Sequence, residues 1–188
     1  MKEQLNAIST AIAGFGIGAQ QVEQAEATGF YEAVCHDADG NELWRQRIEN
    51  LVTTVGKNFA LDSFLAGSAY TAAWFMGLIS IVSYSAVAVG DTQASHAGWL
   101  EAGATNAPTY SGARKTAAWA AASAGSKALS AGLVFTFTGA GTVKGCFLGT
   151  GSAVDGTTGT LYSAGLFSGG DQPVVATNTL TVTYTASL

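Results

Sequence analysis

Residues 179–188, Thr-Leu-Thr-Val-Thr-Tyr-Thr-Ala-Ser-Leu, alternate hydroxyl and apolar side chains without a break. Successive side chains of an extended chain point to opposite faces. Leu180, Val182, Tyr184, Ala186 and Leu188 therefore share one face of a strand, and Thr179, Thr181, Thr183, Thr185 and Ser187 share the other. A period of two, carried by β-branched residues, predicts a strand that runs through this segment. The polar face holds only hydroxyls, where an ordinary exposed sheet carries Lys, Glu or Arg. A flat, neutral face of this kind is expected to lie against another surface.

The same reading predicts further strands at about 30–36, 42–48, 70–81, 113–122, 131–138, 142–149 and 159–167, most of them separated by Gly-rich turns. Asp37-Ala38-Asp39-Gly40-Asn41 between the first two reads as a hairpin turn. Residues 70–81 are apolar on both parities, as in a central strand covered on both sides, with Trp74 as its core anchor. Residues 55–66 switch to a helical period, placing Leu61, Phe64 and Leu65 on one face with Gly67 at the C′ position. Residues 82–107 form a long irregular stretch, of a length that marks a functional loop, an interface or an unrecognised element. The fold expected is mainly β, a jelly-roll-like β-sandwich over residues 29–188 with one short helix. Residues 1–28 lack a period and are expected to form an extended N-terminal arm.

Charge divides the chain unevenly. Only 11% of residues are charged, against about 25% in an average soluble protein. Residues 1–62 carry the whole net charge of −5, and residues 63–188 hold four acids (Asp91, Glu101, Asp155, Asp171) against four bases (Arg114, Lys115, Lys127, Lys144). With no basic stripe to neutralise phosphates, nucleic acid is not an expected partner. The apolar runs are too short to cross a bilayer as helices, so no membrane partner is expected. Residues 5–19 lack the basic n-region of a secretion signal, and assembly in a cytoplasm is expected. Cys35 and Cys146 read as two small buried thiols rather than a disulfide framework.

The candidate chemistry is sparse. Asp91, Ser95 and His96 supply the residue types of a nucleophilic triad. Neither an elbow nor an oxyanion loop surrounds Ser95. The segment reads instead as a loop pinned by Asp91 to its own backbone, with His96 and Trp99 at its base. His36, Asp37 and Asp39 resemble the opening of a cation loop but lack its bidentate Glu. Gly14, Gly16 and Gly18 have neither the strand nor the Lys of a phosphate loop. Trp44, Trp74, Trp99 and Trp119 could stack sugars if exposed together, and read as core residues otherwise. The carboxylates beyond residue 63 sit in turn-like settings, without the facing pair that a glycosidase needs. No catalytic residue, cofactor or metal is expected, and the chain is read as non-enzymatic.

Several segments in order carry a resemblance: Asn50-Leu51-Val52-Thr53-Thr54-Val55-Gly56-Lys57-Asn58 leading into the helix, Gly67-Ser68-Ala69-Tyr70-Thr71-Ala72-Ala73-Trp74, Ala94-Ser95-His96-Ala97-Gly98-Trp99, Ala120 to Lys127, and Gly159 to Phe167. Over residues 30–188 the chain resembles small virion structural proteins of tailed bacteriophages, of the capsid cement or decoration type. The resemblance implies a jelly-roll-like sandwich working as a homotrimer on the capsid surface, with the major capsid protein as partner and no active-site residues. The alternative is a tail, neck or fibre component, either structural or receptor-binding. Ile12, Phe15 and Ile17 of the arm are the expected docking residues, the arm lying across a neighbouring subunit or the shell with Phe15 and Ile17 inserted into a groove.

Overall fold

A computed structural model describes residues 27–65 and 73–187. Most of the expected arm, including Ile12, Phe15 and Ile17, lies outside the described residues, as do Gly67, Tyr70 and Leu188 and the side chains of Phe64 and Leu65.

The described chain forms β1 (Thr28–His36), β2 (Glu42–Val52), α1 (Thr54–Leu65), β3 (Trp74–Ser80), β4 (Glu101–Gly103), β5 (Asn106–Thr109), β6 (Lys115–Ala117), β7 (Ser126–Ala128), β8 (Leu133–Thr136), β9 (Gly141–Gly149), β10 (Leu161–Leu166), β11 (Gln172–Val174) and β12 (Thr179–Ser187). Among the described residues the protein is mainly β with one helix, a curled half-barrel consistent with a β-sandwich. The strand order is β5-β4-β3-β9-β10-β2-β1-β12-β7, with β11 beside β9, β6 beside β3 and β8 beside β12.

β2 produces the curl. Its residues up to Glu49 pair with β1, and its last three, Asn50 to Val52, pair with β10. The strand was expected to stop near 48; it runs on because its far end belongs to the second layer. Between the layers lies a core that includes Tyr31, Ile48, Met76, Leu78, Phe135, Leu180 and Val182.

β12 follows its alternation: Leu180, Val182 and Tyr184 are buried and Thr183 is exposed. The turn at 37–41 is held by the Asp37 carboxylate, whose Oδ1 accepts the amides of Asp39 (2.9 Å) and Asn41 (2.8 Å), with Gly40 at φ +87°. Its acidic residues thus close a hairpin.

α1 starts at a Thr53 N-cap, whose Oγ1 accepts the Gly56 amide at 3.1 Å and donates to Leu161 O at 2.6 Å. The helix turns a different face inward from the one expected, and Leu61 is 55% exposed. Gly56 sets the phase, because a Cβ there would run into the Tyr162 backbone. The helix lies on β10 through that bare backbone, and Phe59, one turn on, packs edge-on against Trp74 at 5.7 Å.

β3 is central and apolar on both sides, as expected, and Trp74 is 8% exposed between Phe59 and Tyr162. Its outer side, with Ile79 beside Phe147, Leu161 and Ala164, is covered by the long stretch after it through Tyr84, Val87 and Trp99. That stretch also contains β4 and β5, which its composition does not announce. Of the strand expected at 113–122, only β6 forms.

Candidate functional site

The segment Ala88–Trp99 is built around one carboxylate. Asp91 Oδ2 accepts both the Ala88 amide and the indole Nε1–H of Trp99, each at 2.9 Å. Trp99 is fully buried, and His96 stacks on it with ring centroids 3.9 Å apart. His96 Nδ1 lies 2.9 Å from Trp99 O. Asp91 and His96 therefore each face Trp99, and the hydrogen bonds of Ser95 run to Thr92. The Asp-Ser-His grouping is a pinned loop and not an assembled triad.

Next to this loop lies the most heavily bonded charge pair among the described residues. Arg114 donates from Nε to Glu101 Oε1 at 2.8 Å and from Nη2 to Oε2 at 2.7 Å. It also donates to the carbonyls of Gly151 (2.9 Å) and Gly156 (3.1 Å), while Glu101 Oε2 accepts the Asp155 amide at 2.7 Å. Both side chains are at most 3% exposed. Burial raises the Glu101 carboxyl above its ordinary pKa, against the pull of Arg114 and the Asp155 amide. Glu101 was expected in a turn-like setting; it stands in β4 instead, sealed by the 150–157 loop that its partner holds. The sequence signal was available, since Glu101, Arg114 and Lys115 are the only charged residues between Thr92 and Ser126.

A cleft of about 380 Å³ opens beside the pair, lined by Ser95, His96, Trp99, Glu101, Asp155 and Thr157 among others. Its carboxylates are committed: Glu101 to Arg114, and Asp155 Oδ2 to the Thr105 amide at 3.2 Å. No group of three or more His, Cys, Asp or Glu that could hold a metal occurs among the described residues. Both cysteines are buried and unbridged. Burial pushes the Cys35 thiol up to about 11 and raises that of Cys146 as well.

The outer face of the sheet differs from the wholly neutral surface expected. Register places Thr179, Thr181, Thr183 and Thr185 beside His36, Val34, Glu32 and Phe30 of β1, and the last three face Arg45, Arg47 and Glu49 of β2. On the other flank Thr179 and Thr181 face Thr136 and Val134 of β8. The face is thus split, with an uncharged half on β12 and β8 and a charged half on the β1–β2 hairpin. In the charged half Arg47 pairs with Glu49 at 2.8 Å and lies 3.8 Å over the Phe30 ring.

At the Thr28–Ser187 end of that sheet, α1 leaves an apolar groove of about 430 Å³, walled by Phe59, Ala60, Trp74, Trp119, Tyr162 and Tyr184. A second lobe of about 360 Å³ shares Ala60, Lys127, Tyr162 and Ala186 with it and reaches Ala27. Among the described residues, the buried Nε1 of Trp119 has no hydrogen-bond partner. The four tryptophans are dispersed through the packing: Trp99 is sealed, Trp44 lies edge-on to Phe167 at 5.3 Å, and Trp74 and Trp119 line the groove.

No protein-family model, curated protein or solved structure matches the chain.

Proposed function

We propose that this chain is a non-enzymatic virion structural protein of tailed-phage type, a cement or decoration protein that binds the capsid shell as a homo-oligomer. The observation that carries this reading is the use of charge. Each of the eight charged side chains beyond residue 63 is engaged within the fold: Asp91 by Trp99, Glu101 by Arg114, Asp155 by the Thr105 amide, Asp171 by Lys144, Lys115 by Ser111 O and Lys127 by Ala120 O. What remains outward on β12 and β8 is hydroxyl and methyl, with Val134 48% exposed. A face of this kind can be covered without stranding an unpaired charge, which suits a subunit that lies flat on a shell or on its own copies.

The cleft beside Glu101 favours a second reading, a receptor-binding fibre or tail component, because it sets the His96 and Trp99 rings among several polar side chains. Copy number separates the two. Gel densitometry of purified particles is expected to give hundreds of copies of the chain; a handful per particle would reject the cement reading in favour of the tail.

A further inference from the structure

We propose that the two-lobed groove beside α1 is the docking site of the chain's own N-terminal segment Ile12–Ile17, bound in cis. The groove is apolar and walled by aromatic rings, and its main lobe falls within the ~300–1,000 Å³ range of built binding sites. Its second lobe contains Ala27, the first described residue. Ala27, the residue to which the segment is tethered, thus already stands in the concavity.

What precedes Ala27 matches the groove in chemistry. Residues 4–22 carry no charge, and their centre, Ile12-Ala13-Gly14-Phe15-Gly16-Ile17, offers three large apolar side chains on a slim backbone. The glycine at 14 allows that backbone to approach aromatic walls closely. Glu23 and Glu26 lie between this segment and Ala27, and the cation among the groove-lining residues is Lys127, which lines both lobes. The nine residues 18–26 span at most about 30 Å, so the segment reaches either lobe. A tether this short holds its free end at an effective concentration in the millimolar range, which favours the same chain's groove over that of a second copy. The inference is independent of the capsid reading.

Disulfide trapping in the full chain tests it. Gly16→Cys is combined either with Ala60→Cys on the groove wall or with Leu43→Cys at the opposite end of the β1–β2 hairpin. The native thiols are buried and do not compete. Mild oxidation is expected to give an intrachain 16–60 disulfide, seen by peptide mass spectrometry, and no 16–43 product. Equal trapping at both positions, no trapping at 60, or a 16–60 bond found only in covalent dimers overturns the proposal, the last by making a second copy the occupant. As an independent readout, Phe15→Asp with Ile17→Asp is expected to raise binding of the apolar dye ANS several-fold. An unchanged dye signal in that folded variant overturns it as well.

Discussion

Glu101 and Arg114 meet through two parallel hydrogen bonds, Oε1 to Nε at 2.8 Å and Oε2 to Nη2 at 2.7 Å, with both side chains closed off from solvent. Removing one partner leaves a buried charge without its complement, which typically costs 3–5 kcal/mol. Arg114→Met is therefore expected to lower stability by about that amount in urea denaturation. Replacing both residues with Met should cost less than the sum of the two single changes, because neither charge is then stranded. Strict additivity would show that the pair is not coupled.

Asp91 fixes the covering loop through one oxygen shared by an amide and an indole. Asp91→Ala leaves the buried Trp99 Nε1–H without its acceptor, and a stranded buried donor costs about 1–3 kcal/mol. Limited proteolysis should then cut between residues 82 and 98 faster than in the parent protein, while Asp91→Asn, which keeps a carbonyl oxygen, should cut at an intermediate rate.

Trp74 joins α1 to the sheet through two edge-on aromatic contacts, to Phe59 and Tyr162. Trp74→Ala is expected to cost about 3–5 kcal/mol, a large share of the ~5–15 kcal/mol that holds a domain together. An unchanged melting temperature would rule out its role as an anchor.

The buried thiols give a pH dependence of known sign. A thiol in the unfolded chain ionises near 8.5, whereas Cys35 in the fold does so at about 11. Between these values the unfolded chain binds fewer protons than the folded one, so stability falls as pH rises through the window. Urea midpoints measured at pH 7.5, 9 and 10 should fall more steeply for the parent than for a Cys35→Ala, Cys146→Ala variant.

The uncharged half of the outer face makes the proposed oligomer testable. Thr183→Lys at the exposed centre of β12 should change stability by no more than about 0.5 kcal/mol while weakening the proposed self-association and shell binding. Association through hydroxyl and methyl groups should also be insensitive to salt, since exposed ion pairs are screened within ~8 Å at physiological ionic strength. Light scattering of parent and variant at low and high salt measures both effects.

What the sequence revealed was what neighbours in the chain decide. The alternation of β12 and the Asp37–Asn41 turn are local patterns, and both elements stand where they were read. The inward face of α1 was not legible, because its phase is set by contact between Gly56 and the backbone of Tyr162, more than a hundred residues away. β4, β5, β7 and β11 are three or four residues long and are defined by their partners rather than by their own composition. Glu101 and Arg114 gave the one overlooked signal, opposite charges that share a nearly neutral stretch with Lys115 alone. Residue spacing alone could not show that both turn inward.

Thr28 pairs with Ser187 and His36 with Thr179, so β1 lies along the last strand described. During synthesis the β1–β2 hairpin leaves the ribosome with Tyr31 and Ile48 uncovered, and the strand that closes over it is made much later. Folding of this layer is thus governed by long-range closure and is correspondingly slow. Until then the edge of β1 that β12 pairs with stays open.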